Sequence, residues 1–568
     1  MKKPIPVGYE DFKRVIDRHA YYVDKTDMLK TLMDSAVSVS LLTRPRRFGK
    51  TLNLSMIRRF FEKEMDDQGQ QVDNGYLFDG LAITSCGQEY LTHQQQYPVI
   101  NLSLKSAKQP NFEMAYGMLK RELQEEFGRH RYALRGDALT EQEKVQYEDI
   151  LALKDDPLLY AGALRFLSDC LAKYHGKNAI ILIDEYDVPL ENAWFSGFYE
   201  EMIGYIRSLF ESALKTNPYL EFAVITGCLH ISRESIFTGL NNLKIYSILS
   251  PGYSDSFGFT EREVKEILAY YDLADKYEEV RQWYDGYQFS SQEIYNPWSI
   301  INYADTALLD RDAFPKPYWS NTSSNSIIRE LVEEADFETR SEIESLIAGN
   351  TIEKPVHEDI TYGEIHESRD NLWNFLYFTG YLKAVGERKQ EETSYLELTI
   401  PNAEIRSIYR STILTWFDKK MQTADLSSLL TAIETGDCET FGRIVSEQLL
   451  DTISFFDYAE TYYHGFLSGL LKVLKKYQIL SNRESGIGRP DILMKTPGIR
   501  GGAAVILELK VAGAFQGMED ACMDALSQIE ERDYEAALRA DGYRDIKKYG
   551  VCFYRKECLV MDGTDKRL

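Results

Sequence analysis

An apolar run, Val37-Ser38-Val39-Ser40-Leu41-Leu42, leads into Thr43-Arg44-Pro45-Arg46-Arg47-Phe48-Gly49-Lys50-Thr51, and then into a segment whose apolar residues Leu52, Met56, Phe60 and Phe61 recur at helical spacing. No other feature constrains the chain as strongly. A short buried strand must hand over, through a tight loop ending in Gly-Lys-Thr, to a helix that reaches to about Glu62. Backbone N–H groups at such a helix start favour an anion. Lys50 can reach the outer oxygens of a bound polyphosphate, and the Thr51 hydroxyl can ligate Mg²⁺. The loop departs from the usual G-x-x-x-x-G-K-T spacing at Arg44, where glycine would stand. Pro45 is therefore expected to make the turn, with Arg46, Arg47, Phe48 and Gly49 beside the phosphates.

A second apolar run, Ala179-Ile180-Ile181-Leu182-Ile183, ends in Asp184-Glu185-Tyr186-Asp187. A central parallel strand reads this way when it carries carboxylates to its C-terminal edge, where ligands of open α/β sheets collect. Asp184 is expected to hold Mg²⁺, usually through water, and Glu185 to polarise an attacking water. The run Leu220 to Gly227 places Thr226 as a small polar sensor at the next strand tip, and Arg233 follows closely enough to meet a terminal phosphate in cis or in trans. An ordinary surface or salt-bridged arginine is the competing reading of Arg233.

A chain of 568 residues exceeds what one hydrophobic core organises. Its 44% hydrophobic and 27% charged content is that of a globular protein, and no apolar stretch is long enough to cross a bilayer. The first residues lack the apolar run of a secretory signal, and seven cysteines without a C-x-x-C pair argue against disulfides and zinc knuckles, so the expected compartment is the cytoplasm. A net charge of −24 works against general attraction to a polyanion. Any nucleic acid must meet a local basic patch: Arg44, Arg46, Arg47, Lys50, Arg58 and Arg59, or Lys472, Lys475, Lys476, Arg483, Arg489, Lys495 and Lys510. A solvated face is the alternative for the second group.

Near the C-terminus, Tyr463, Phe466, Leu467, Leu470, Leu471 and Leu474 define the buried face of a helix over about 458–477, with Glu460 close to that face. Strands are expected at Tyr477–Ser481, Arg489–Met494 and Ala503–Lys510, with turns at Ser485–Gly488 and Pro497-Gly498. Side chains alternate along a strand, so Glu508 and Lys510 share one face while Leu507 and Leu509 share the other. Between the two ends, Trp283-Tyr284 and Asn296-Pro297-Trp298 read as core packing rather than base stacking, and Asn296, Asn321 and Asn402 as caps or turns.

Taken in order, Tyr22-Val23-Asp24-Lys25-Thr26, Arg44 to Thr51, Leu182 to Asp187 and Ile225-Thr226-Gly227 resemble the predicted AAA-ATPase-like family of bacterial and archaeal proteins. So do Ile236 to Asn242, Trp283 to Tyr287, Tyr318 to Thr322 and Tyr377 to Leu382. In that family Arg-Pro-Arg-Arg-Phe-Gly-Lys is the normal loop, so the resemblance implies ATP binding despite Arg44. Asp491 and Glu508-x-Lys510 resemble the core of the PD-(D/E)XK nuclease superfamily, in the form fused to this ATPase-like family. The resemblance implies that Asp491 and Glu508 bind Mg²⁺, which activates water and neutralises charge on a phosphate, while Lys510 orients that water or steadies the anion. Gln528 matches a supporting polar residue of the superfamily and Glu460 its upstream helical acid.

The expected fold is α/β: a P-loop NTPase parallel sheet over 1–250, a helical lid or winged-helix-like region over 251–420, and an α/β PD-(D/E)XK nuclease-like domain over 421–568. The expected function is ATP binding and hydrolysis coupled to Mg²⁺-dependent cleavage of DNA or RNA, with no membrane partner. A nucleotide-switched binding or signalling protein with a non-catalytic nuclease fold is the alternative. A third reading, a ring ATPase doing mechanical work, requires a homo-oligomer and a trans arginine.

Overall fold

The computed structural model describes residues 2–563 other than 231–235, 238–239, 322–327, 329–332, 334–335, 359–367, 391–392, 424–425, 451–459, 482–489 and 499–501. Packing divides the chain into two compact units, Met1–Ser324 with Thr351–Ser407, and Asn325–Asn350 with Ile408–Leu568.

In the first unit, β1 (Val39–Thr43), β2 (Val99–Ser103), β3 (Ala179–Asp184), β4 (Leu220–Gly227) and β5 (Leu243–Tyr246) form a wholly parallel sheet in the order β2-β3-β4-β1-β5. β1 begins two residues later than the apolar run suggests. It and β3 are buried along their whole length, as near-continuous apolar strands are when both sheet faces are covered. The helices Phe112–Arg129, Ala163–His175 and Tyr199–Leu214 supply cover, packing on β2, β3 and β4. Leu42 lies opposite Thr226, Thr43 opposite Gly227, and Ser103 opposite Asp184. That register brings the C-terminal ends of β1, β3 and β4 to one edge, and the helix Lys50–Phe61 starts there.

The far end of that helix is tied down by buried charge. Arg129 pairs with Glu126 and with Glu62, the residue that ends the Lys50–Phe61 helix, and donates to the Val99 carbonyl of β2 at 2.5 Å. Burial opposes ionisation of both acids, and Arg129 together with His130, and with Arg58 at Glu62, more than offsets it, holding them below the usual carboxylate range.

Later residues of the first unit combine helices with two small antiparallel sheets. β6 (Phe259–Thr260), β7 (Tyr287–Phe289) and β8 (Gln292–Tyr295) lie in the order β6-β8-β7; β9 (Ile352–Pro355), β10 (Lys383–Gln390) and β11 (Thr393–Thr399) in the order β10-β11-β9. Asn296 caps the helix Pro297–Leu309 by accepting from Trp298 N at 2.9 Å, and Asn402 accepts from Ile405 N at 3.0 Å. Tyr284, Tyr295 and Tyr303 join Val264 and Leu268 in one apolar cluster, so these aromatics are core.

The second unit is built on β12 (Gln478–Ser481), β13 (Ile492–Lys495), β14 (Ala503–Val511), β15 (Asp545–Tyr554) and β16 (Glu557–Asp562), ordered as in the chain, with β14 and β15 parallel and the other pairs antiparallel. Alternation along β14 divides its side chains. Leu507 and Leu509 pack with Tyr463, Leu467 and Leu470 of the helix Glu460–Lys472, while Ala504 and Ile506 pack with Leu526 and Ile529 of the helix Met518–Glu531. Glu508 and Lys510 therefore stand on the Met518–Glu531 side. The turn expected at 485–488 lies outside the described residues. No cysteine is joined in a disulfide, and among the described residues no helix is long and apolar enough to cross a membrane.

Candidate nucleotide and metal sites

The loop from β1 to the helix Lys50–Phe61 turns through Gly49, which caps that helix at φ 87°, a conformation that L side chains resist. Thr51 follows and donates from its hydroxyl to Asp184 Oδ2 at 2.6 Å; the Thr226 hydroxyl donates to Asp184 Oδ1 at 2.6 Å. Three residues from the helix start, β3 and β4 thus converge on one carboxylate that is only 6% exposed. Lys50 Nζ lies inside the curve of the loop, 3.0 Å from the carbonyls of Arg44 and Pro45. Glu185 adopts φ 53° at the strand tip, and burial pushes its carboxyl up against the opposing pull of Lys50. Asp187 is structural: it accepts from the N–H groups of Cys228 at 2.7 Å and Leu229 at 3.1 Å, fixing the chain as it leaves β4.

Arg44, grouped by sequence with the basic patch, points into the interior. Its guanidinium donates to the carbonyls of Thr43, Tyr246 and Tyr253 and lies 5.3 and 5.2 Å from the Phe257 and Phe289 rings. Burial pushes its pKa down to about 9. Arg44 thereby ties the chain that follows β5 to the root of the loop. Arg46 pairs with Glu191, and Arg47 lies over Trp298 at 4.7 Å. The Phe48 ring is buried against Tyr287 and Phe289 instead of lying open beside a ligand. Arg58 pairs with Glu62, and Arg59 with Glu64 and Asp11, so the first basic patch is largely spent on internal partners. Arg233 lies outside the described residues, as do Arg483 and Arg489 of the second patch.

In the second unit, Asp491 immediately precedes β13 and Glu508 stands on the adjacent β14. Asp491 Oδ2 accepts from Leu509 N at 2.9 Å, and Asp491 N donates to Glu508 Oε2 at 3.3 Å. The Gln528 amide donates to Glu508 and accepts from Lys510 Nζ at 2.7 Å, joining acid and ammonium through one side chain. Glu508 is 2% exposed, and burial, reinforced by the Asp491 charge, pushes it up to about 7. A second acid held against an already buried one is the arrangement a divalent cation relieves.

Residues 6–237 match the family described as "Predicted AAA-ATPase", and residues 458–563 match the PD-(D/E)XK nuclease superfamily. The chain carries a predicted AAA-ATPase domain followed by a PD-(D/E)XK nuclease superfamily domain. A relative from Azotobacter chroococcum mcd 1, described as "Uncharacterized protein in vnfD 5'region", is 26% identical over 342 residues, which are 59% of this chain and 57% of the relative. The chain thus spans just over half the length of that curated relative.

Within the AAA-ATPase domain, Lys50, Thr51, Asp184, Glu185 and Thr226 gather at one sheet edge. Within the nuclease-superfamily domain, Asp491, Glu508, Lys510 and Gln528 form one hydrogen-bonded set. Glu460 does not join it: the residue, the first of its helix, is exposed, and among the described residues no hydrogen bond or ion pair links it to Asp491 or Glu508. One turn further along, His464 Nε2 donates to the Asp491 carbonyl at 2.9 Å, which selects the tautomer protonated at Nε2. His464 escaped the sequence reading, although its spacing of four from Glu460 puts it on the same helix face.

Among the described residues no group of three or more His, Cys, Asp or Glu side chains gathers as a ready-made cation cage. Mg²⁺ does not need one, since it keeps several waters and takes one or two carboxylates. Both acid sites suit that chemistry.

Proposed function

We propose that this protein is an ATP-binding ATPase whose nucleotide state governs a Mg²⁺-dependent nuclease acting on DNA or RNA. The observation that carries the nuclease half is Glu508 held against Asp491 and joined to Lys510 through Gln528. A cation at Asp491 and Glu508 would supply a water of lowered pKa and a counter-charge for the scissile phosphate. Lys510, fixed by Gln528, stands where an ammonium can steady the departing anion.

For the nucleotide half, Thr51 and Asp184 would share Mg²⁺, Lys50 would exchange loop carbonyls for phosphate oxygens, and Glu185 would take the proton of an attacking water. The base would lie against the same loop. Beside Gly49, Leu52 and Asn53 lies a cavity of about 100 Å³, walled mainly by apolar and aromatic residues including Pro6, Tyr21, Val23, Phe259 and Ile301. No acid lines it. Lys25 is already held by Glu263 and the Asp255 carbonyl, and Asn53 by the Ser256 carbonyl. Guanine would bury more unpaired polar groups there than adenine, so the cavity favours adenine.

We assign 251–420 the part of a helical lid or winged-helix-like region, and place the protein's work in the cytoplasm because its cysteines form no disulfide. A second reading, a nucleotide-switched binding protein with a silent nuclease fold, is favoured by the net charge of −24 and by the internal pairing of Arg44, Arg46, Arg58 and Arg59. Incubation with single- and double-stranded DNA and RNA, with Mg²⁺ or Mn²⁺ and with and without ATP, separates the two. Cleavage that Asp491→Ala abolishes supports the nuclease; absence of product on every substrate leaves the binding role.

A further inference from the structure

Several segments that the nucleotide chemistry leaves unused converge on the outer side of the phosphate loop. The Trp319 indole N–H donates to the Arg46 carbonyl at 3.3 Å. The Gly380 backbone, at φ 91°, approaches Pro45 so closely that a Cβ there would stand 3.0 Å from the proline ring. Tyr287 packs edge-on against Phe48 at 4.9 Å, and Arg47 lies over Trp298. Each of these partners lies beyond the 6–237 stretch that matches the AAA-ATPase family.

Behind Trp319 stands a carboxylate with no solvent access. Glu404, near the start of the helix Ala403–Thr423, accepts from Trp319 N at 2.8 Å through one oxygen and from the Ser299 hydroxyl at 2.8 Å through the other. Ser299 follows Trp298, the ring beneath Arg47. The buried acid thus holds both tryptophan-bearing segments that touch the loop. Among the described residues no ion pair reaches it; burial is costly for such a carboxylate, and pushes this one up to about 7. An apolar residue would fill the same space without that cost, but could not hold the Trp319 and Ser299 donors at once.

We propose that Glu404 and Trp319 are positioning residues for the phosphate loop, setting the Arg46 carbonyl and hence the curve in which Lys50 meets phosphate. The proposal rests on nucleotide binding at Lys50. It predicts a division between phosphate and base, because the cavity beside Leu52 does not depend on the Arg46 carbonyl.

The test measures binding of ATP and of adenosine to the full chain by calorimetry. Trp319→Phe keeps most of the ring volume and removes the indole donor. It should weaken ATP about tenfold, the typical effect of one lost hydrogen bond, and leave adenosine unchanged. Glu404→Ala should do the same, while Glu404→Gln, which still presents an acceptor to Trp319 N, should bind ATP nearly as the wild type does. If Glu404→Ala does not fold, Trp319→Phe alone decides. Unchanged ATP affinity in Trp319→Phe, or equal loss of ATP and adenosine, would overturn the positioning role. A wild-type protein that binds neither ligand would overturn the nucleotide reading itself, and the positioning role with it.

Discussion

The two acid sites are made in opposite ways. Asp184 is delivered by a parallel strand, and its two oxygens are each satisfied by a hydroxyl, one from the helix start and one from the neighbouring strand. Glu508 is delivered by a strand whose antiparallel neighbour brings another acid, with one backbone N–H and one amide for relief. In the first site charge is solvated by the protein before any ligand arrives. In the second, burial and like charge are left partly uncompensated, so ionisation of Glu508 is opposed. The difference teaches where metal dependence should be strongest: in the carboxylate pair.

The most severe way to break this contrast is to remove one member of the pair. Asp491→Ala should reduce Mg²⁺-dependent cleavage to background while ATP binding, followed by calorimetry, stays at the wild-type level. Lys50→Ala should do the reverse at the other site, weakening ATP by about tenfold to a hundredfold through loss of charge-assisted contacts, with metal binding at Asp491 and Glu508 unaltered.

A subtler test uses pH. The folded-state pKa of Glu508 is raised to about 7, so its contribution to stability is fully present below the ordinary carboxylate pKa and is lost as pH rises through about 7. Without divalent cations, Glu508→Gln should therefore be more stable than the wild type at pH 8, by about 3 kcal/mol at most, with the gap closing toward pH 5. Thermal melts across that range would check it. Mn²⁺ should raise the melting temperature of the wild type and not of the variant, with affinity increasing about tenfold per pH unit below 7 as one proton is displaced. A wild-type protein whose melting temperature is indifferent to Mn²⁺ at pH 8 would erase the contrast between the sites.

The smallest effect belongs to the hydroxyl-held acid. Thr226→Val leaves one Asp184 oxygen without its donor and should weaken Mg·ATP only about fivefold, with cleavage in the absence of nucleotide unchanged. An effect as large as that of Lys50→Ala would mean that Thr226 touches the ligand as well as orienting the acid.

Much of both sites was legible in the sequence because the decisive residues sit at the ends of strongly patterned segments. The apolar run ending at Leu42 read as a short buried strand and the one ending at Ile183 as a central parallel strand, and alternation alone placed Glu508 with Lys510. Legibility failed where a side chain's role depends on a distant partner. Arg44 read as one more base in a basic loop, yet it is held by Tyr246 and Tyr253, about two hundred residues away. Glu460 read as the upstream helical acid of the site; it is exposed, and His464, one turn further along, makes the contact with Asp491. Phe48 read as a neighbour of phosphate because it adjoins Gly49; its ring is instead core.

By itself the sequence determined which strands are buried, which residues end them, and which side chains share a strand face. These properties follow from local geometry, from a period of two in strands and 3.6 in helices. Only the tertiary structure decided that Thr51, Asp184 and Thr226 meet on one carboxylate, that Gln528 bridges Glu508 and Lys510, and that Trp319 and Glu404 stand behind the phosphate loop. Those meetings depend on strand order and register and on how helices and loops pack around them. Chain segments separated by as many as 273 residues are brought together there, beyond the reach of local periodicity.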